Sequence, residues 1–211
     1  MKIAFIGYGN VGGALAFHLQ KLGHDVTLAS SDPTSESVTK VVSRNPNIKV
    51  SSPKMAVGEA EIVFLATPYG ANEAALTHVK EELSGKIIVD CTNPVGAGIS
   101  HGLNSETSGS EMIKNLVPEA EVVKAFTIYG YENFEDNSYP KYNVKPVMMY
   151  CGSSQQAKEQ VKELIEQLGW EPLDVGGLNQ ALHLEHMTLM WVKMVRLNGH
   201  SPNMVWGYLK R

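Results

Sequence analysis

The string Gly7-Tyr8-Gly9-Asn10-Val11-Gly12 constrains this chain more than any other feature. Glycines gather in many turns, so G-x-G-x-x-G alone carries little information. Here it follows an apolar run, Lys2 to Ile6, at once. It also opens a segment, Val11 to Leu22, in which Val11, Ala14, Leu15, Phe17, Leu19 and Leu22 recur at roughly helical spacing. A strand, a glycine turn and a helix in that order bring main-chain N–H groups to a dinucleotide diphosphate. The first glycine permits the tight turn, the second lets the diphosphate approach the backbone, and the third lets the helix lie close to the sheet. The helix N-terminus adds unpaired N–H groups and a positive dipole end. The sequence therefore predicts a cofactor loop made of Gly7, Tyr8, Gly9, Asn10, Val11 and Gly12.

The same alternation continues. Gly23 reads as the glycine that ends the first helix, and Asp25 to Ala29 reads as a second strand. Asp32 followed by Pro33 has the pattern of an N-cap with proline at the first helical position, which predicts a helix to about Arg44. Strands are expected at 48–50, 61–66 and 86–90, with a helix over about 71–83 between the last two. Strands this uniformly apolar belong in a parallel sheet covered on both faces. Further on, the spacing predicts helices over about 110–116, 155–168 and 178–198, and strands at 121–126, 147–151 and near 170–173. Residues 91–110 and 127–145 read as long polar loops, and loops of that length in a compact domain are usually functional. The expected fold is α/β: a Rossmann-like doubly wound, mainly parallel sheet with a small C-terminal helical extension. The 211 residues leave little room for a separate substrate domain of ~100 residues. We expect residues 1–151 to form the dinucleotide-binding part, and residues 152–211 to complete the sheet and cover the substrate site as one compact unit.

Charge and cysteine usage remove other classes. A net charge of −4 offers no basic surface for nucleic acid. No stretch approaches the ~20 apolar residues of a membrane span, and the apolar N-terminal run is too short for a secretion signal. Two isolated cysteines, Cys91 and Cys151, fit neither a disulfide framework nor a zinc cluster. A cytoplasmic protein is expected. His183 and His186 flank Glu185 on one helix, but no third ligand is in view, so no metal site is expected and a solvated or capping role is favoured. Met187, Met190, Trp191 and Met194 follow 3–4 spacing and read as a core face, a substrate lid or dimer seam being the alternative.

In open α/β sheets, ligands bind beyond the carboxyl ends of the strands. The second strand runs into Ala29-Ser30-Ser31 with no terminal carboxylate to hold a ribose 2′-hydroxyl. Ser30 and Ser31 can donate to a 2′-phosphate, which favours NADP over NAD. Thr67-Pro68-Tyr69 follow the next buried strand, and Asn93-Pro94 follow another shortly after it. Both groups are expected to line the cofactor crevice, their simpler reading being strand termination. Thr127, Ile128 and Tyr129 follow the strand at 121–126 and are the candidate substrate contacts.

Taken together, these segments resemble the deazaflavin-dependent NADP reductases, also called coenzyme F420:NADP oxidoreductases, and the related reductase domain of the STEAP metalloreductases. The resemblance runs nearly end to end: GYGNVG, TPYGA at Thr67 to Ala71, GKIIVDCTNP at Gly85 to Pro94, VVKAF at Val122 to Phe126, PLDVGGL at Pro172 to Leu178, and MVRLNG at Met194 to Gly199. It implies NADP(H) on the strand ends and hydride passing to or from a flavin-like ring such as coenzyme F420, FMN or FAD. Two positions depart from the family's pattern. Ser30-Ser31 stands where Ser-Arg is usual, and Thr127 where Asn or His is common.

Hydride transfer between two rings requires alignment and exclusion of water more than an acid or base. In keeping with this, the chain has no Tyr-x-x-x-Lys pair and no G-x-S-x-G elbow, and no catalytic residue is assigned. The competing reading is a non-catalytic NAD(P)-binding sensor or partner subunit. Imine reduction of the pyrroline-carboxylate type is disfavoured, because those enzymes carry a longer helical C-terminal region. The expected partner is a small flavin-like acceptor, with a homodimer as a further option.

Overall fold

The computed structural model describes Met1–Arg211. Five strands, β1 (Lys2–Ile6), β2 (Asp25–Ala29), β3 (Lys49–Ser51), β4 (Ile62–Leu65) and β5 (Ile87–Asp90), join β6 (Glu121–Lys124), β7 (Val147–Gly152) and β8 (Glu171–Gly177) in one sheet. The strand order is β3-β2-β1-β4-β5-β6-β7-β8. The first six strands are parallel, β7 runs antiparallel to β6, and β8 is parallel to β7. The order reverses between β1 and β4, which opens the crevice where such sheets take ligands.

Two-residue alternation along the central strands builds two cores. Ile3, Phe5, Phe64, Val89 and Val123 face α1 (Asn10–Lys21), α2 (Glu36–Arg44) and α7 (Gln155–Gln167). Ala4, Ile6, Val63, Leu65, Ile88 and Val122 face α3 (Pro53–Glu59), α4 (Asn72–His78) and α5 (Gly109–Leu116). Both faces are buried, which is why these strands read as continuous apolar runs. A four-residue α6 (Glu132–Glu135) lies within the 127–145 segment, and α8 (Ala181–Arg196) closes the chain's helical part. No helix is long and apolar enough to cross a membrane.

Several expected boundaries move, each for a local reason. The helix expected from Asp32 begins only at Glu36. The Asp32 carboxylate instead accepts from Thr34 N and Thr34 Oγ1 at 2.9 and 2.7 Å, an Asx turn that holds these residues outside the helix. The helix expected to reach residue 83 stops at His78, and the chain continues in turns that keep Val79 and Leu83 buried. β6 ends at Lys124 because Phe126 takes a left-handed φ of 54°. β8 is longer than 170–173. Helix α3 was not expected, although Ser52-Pro53 carries the cap-then-proline pattern of a helix start. At α5 the sequence Ser-x-x-Glu forms a full capping box, with Ser108 Oγ accepting from Glu111 N at 3.1 Å. On α8, Trp191 is buried, whereas Met190 points outward and is 47% exposed, so the methionine stripe is only partly a core face.

Candidate functional site

The turn between β1 and α1 uses its glycines in three distinct ways. Gly7 has φ +88°, and a Cβ there would lie 2.5 Å from the Ala66 carbonyl carbon. A Cβ on Gly12 would lie 2.2 Å from Gly7 O, so α1 can sit this close to β1 only with glycine there. A Cβ on Gly9 would meet nothing within 4 Å. Two glycines are therefore packed shut and the middle one faces open space, as a backbone cradle for a diphosphate requires. Helix α1 has no side-chain cap at Gly9 and no acidic residue in its first turn, leaving its first N–H groups available to an anion.

A cavity of about 620 Å³ runs from this turn along the strand ends. Its walls include Gly7, Tyr8 and Gly9, then Ser30, Ser31 and Ser37, and across the switch point Thr67 and Pro68. The structure thus brings together the glycine loop, the two serines and the Thr67-Pro68 turn. The Ser30 hydroxyl is engaged locally, donating to Asp32 O at 2.8 Å, while Ser31 is exposed at the rim. An adjoining cavity of about 400 Å³ is lined by Tyr8, Gly9, Asn10, Ser37 and, from α2, Lys40 and Arg44. Arg44 is held by a two-point contact with Glu135, at 2.8 and 2.6 Å. Lys40 brings a cation to the rim that Ser37 shares with the first cavity, a neighbour that the Ser30-Ser31 pair does not disclose.

Beyond β5 and β6 the wall is made of side chains. Thr67 Oγ1 donates to Asn72 Oδ1 at 2.7 Å, Asn72 Nδ2 to Thr92 Oγ1 at 2.9 Å, and Thr92 Oγ1 to Asp90 Oδ1 at 2.7 Å. Asp90 Oδ2 accepts from Ser110 Oγ at 2.5 Å and from Lys124 Nζ at 3.0 Å. Lys124 also donates to Thr92 O at 2.8 Å and lies 3.1 Å from Glu185 Oε1. Glu185 further accepts from Gly109 N, at the start of α5, at 2.9 Å and from His101 Nε2 at 2.7 Å. The side chains of Asp90, Lys124 and Glu185 are fully buried. Burial disfavours the Lys124 ammonium, but Asp90 and Glu185 more than offset this and hold its pKa above the usual lysine value. Burial, followed by the charges of Glu185 and Asp90, raises the Tyr69 hydroxyl. Thr67 and Tyr69 are candidates from the sequence, but Asn72, Asp90, Thr92, His101, Ser110, Lys124 and Glu185 are not. Asp90 and Lys124 sit inside apolar strands, and Glu185 reads as one more helical glutamate.

The remaining candidates separate. Thr127 Oγ1 donates to Asn93 Oδ1 at 2.6 Å, so the ends of β5 and β6 meet there, and Thr188 of α8 donates to Thr127 O at 2.9 Å. Pro94 is buried beside them, its Cδ 3.4 Å from where a Cβ on Gly109 would lie. Ile128 and Tyr129 do not fit a role in contacting substrate: both are turned into the core. The Tyr129 ring stacks on Trp170 at 5.2 Å, and its hydroxyl donates to Val147 O at 2.6 Å. The left-handed Phe126 turns the chain between the two environments. No three His, Cys, Asp or Glu side chains are grouped as a metal site. His183 is exposed, and His186 stacks on His101 at 5.3 Å. Cys91 and Cys151 are buried free thiols; burial raises both, Cys151 to about 12.

A doubly wound sheet with this glycine turn at its switch point defines a Rossmann-type dinucleotide-binding fold. The chain matches the family model of the coenzyme F420-dependent NADP oxidoreductases over residues 2–94. It is 28% identical over 202 residues to the F420-dependent NADP reductase of Methanocaldococcus jannaschii, covering 89% of each chain. It is also 28% identical over 189 residues to metalloreductase STEAP3 of Rattus norvegicus. That match takes in 89% of this chain but 36% of the relative, so the chain spans about a third of the metalloreductase's length. Among solved structures, a candidate F420-dependent NADP reductase from Arthrobacter sp. FB24 superposes over the full length of both chains with a TM-score of 0.88 and 28% identity.

Proposed function

We propose that this chain binds NADP(H) along the Gly7–Gly12 turn and the crevice beside it, and passes hydride between it and a flavin-like acceptor such as coenzyme F420, FMN or FAD. The observation that carries this reading is the glycine geometry. Gly7 and Gly12 admit no side chain, Gly9 faces open space, and the cavity leads from there to the ends of β2 and β4. The names of the relatives agree with it. When bound, NADP(H) supplies or accepts the hydride. Everything else falls to the chain's own residues.

In this reading Gly9, Asn10 and Val11 offer backbone N–H groups to the diphosphate, with Tyr8 and Gly12 shaping the loop. Ser30, Ser31 and Ser37 hold the adenosine end, and Lys40 adds the positive charge that favours a 2′-phosphate over a bare ribose. Thr67, Pro68, Tyr69, Asn93 and Pro94 line the nicotinamide side, and Thr127 faces the acceptor. Residues 152–211 serve as part of the same unit, because α8 carries Glu185 and Thr188 onto the ends of β5 and β6. Two buried free thiols support a reducing, cytoplasmic setting.

The test has two stages. Fluorescence titration with NADPH and NADH should show tighter binding of NADPH; tighter NADH binding would sink the assignment of cofactor. NADPH oxidation is then followed by absorbance with coenzyme F420, FMN and FAD in turn. Turnover with at least one supports the reading, whereas NADPH binding with no turnover favours the sensor.

A further inference from the structure

We infer that the buried Asp90–Lys124–Glu185 network carries a net negative charge that biases the site toward the oxidised, positively charged nicotinamide, and so favours departure of hydride from the bound reduced ring. This rests on the proposed NADP(H) site and concerns residues to which that reading gives no contact with the cofactor.

The charge state follows from the donor sets. Each polar contact of Asp90 brings in a donor: Thr92 N and Oγ1 on one oxygen, Ser110 Oγ and Lys124 Nζ on the other. Glu185 likewise receives Lys124, Gly109 N and His101 Nε2. Both groups are thus acceptors only, as ionised carboxylates are. His101 is neutral by geometry, since its Nδ1 accepts from Leu103 N at 3.3 Å and from Ser105 N at 3.2 Å, so its single proton sits on Nε2 facing Glu185. Lys124 is the one cation among two carboxylates, which leaves one negative charge in excess. Tyr69, Cys91 and Cys151 do not alter the balance, because burial raises all three. The exposed His186, stacked on His101, is the other titratable ring beside the network.

The network touches the crevice in two places. The hydrogen-bond chain Thr67–Asn72–Thr92–Asp90 starts in the cavity wall. Tyr69 packs on Gly109, where an added Cβ would lie 2.7 Å from the ring, and Gly109 N donates to Glu185. A charge buried out of water acts over a longer range than one at the surface. Hydride departure breaks one C–H bond, passes both electrons to the acceptor, which takes its balancing proton from solvent, and leaves a unit positive charge on the nicotinamide ring. Excess negative charge beneath the strand ends stabilises that product state.

The prediction is read from binding alone. Dissociation constants for NADP+ and NADPH are measured for the wild type and for E185Q, D90N and H101Q. All constants are measured at one fixed pH, and circular dichroism verifies the fold of each variant. The wild type should bind NADP+ at least as tightly as NADPH. E185Q and D90N should each raise the ratio Kd(NADP+)/Kd(NADPH) by about fivefold or more, the order expected for one buried charge. H101Q removes a hydrogen bond without changing charge and should leave the ratio within about twofold. Tighter wild-type binding of NADPH, an unmoved ratio in a folded E185Q or D90N, or an equal shift in H101Q would overturn the inference while leaving the cofactor site intact. Failure of the wild type to bind either dinucleotide would remove the site reading and the inference with it. Should neither carboxylate variant fold, the wild-type comparison decides.

Discussion

Between β1 and α1 the chain makes its candidate site from backbone, whereas beyond β5 and β6 it makes it from side chains drawn from four distant segments. The first region needs only glycines within six consecutive residues and a helix that starts in the right place. The second needs Asp90, His101, Lys124 and Glu185, which stand up to 95 positions apart in the sequence and converge in a fully buried cluster. A backbone site tolerates changes of side chain but not the addition of a Cβ. A charged side-chain site tolerates added volume poorly and a missing partner worse, because the charge left behind cannot reach water.

Lys124→Met should expose that difference most sharply. It would leave two buried carboxylates without their cation, and a loss of about 3–5 kcal/mol is expected in urea unfolding. A loss below about 1 kcal/mol would mean that the cluster relaxes as a surface pair does. Gly12→Ala comes next. Its Cβ would sit 2.2 Å from Gly7 O, so α1 must move, and NADPH binding should weaken by about five- to a hundredfold through an overpacking cost of ~1–3 kcal/mol. Near-normal affinity would show that the phosphate turn does not depend on close helix packing.

Thr127→Val tests the join between the regions. It keeps the volume but removes the donor to Asn93, and the rate of hydride transfer should fall about fivefold with NADPH affinity unchanged. An equal effect on affinity would place Thr127 on the cofactor rather than the acceptor. The smallest effect is expected at Arg44→Ala, about 0.5 kcal/mol, since its bond to Glu135 is partly exposed. Arg44 holds the Glu135 pKa below its usual value. The pair's contribution is therefore present above about pH 4.3, the ordinary glutamate value, and is lost as pH falls through the lowered one. Wild type and R44A should converge in stability in acid; a gap that persists there would point to the Arg44 guanidinium over the Phe17 ring.

Much of the first region was readable from local pattern. Gly7, Gly9 and Gly12 could be assigned separate jobs because a turn between a strand and a helix is a short-range event. The two-sided burial of β1, β4 and β5 was legible in their apolar runs. Local pattern failed where two local signals competed. Asp32-Pro33 matched a helix start, but the Asx turn to Thr34 prevailed and moved the start to Glu36. It failed again at Tyr129, which has the polar and aromatic character of a ligand contact yet stacks on Trp170 in the core. The helix at Pro53 was signalled by Ser52-Pro53 and could have been read.

By itself the sequence determined the alternation of strands and helices and the glycine turn between β1 and α1, because each depends on neighbours within about a dozen residues. Only the tertiary structure decided that α8 returns over the strand ends and that Lys124 is shared between Asp90 and Glu185. It also decided that Lys40 reaches the rim beside Ser37. A buried charge has no local signature: its cost and its partner are set by what the fold packs around it.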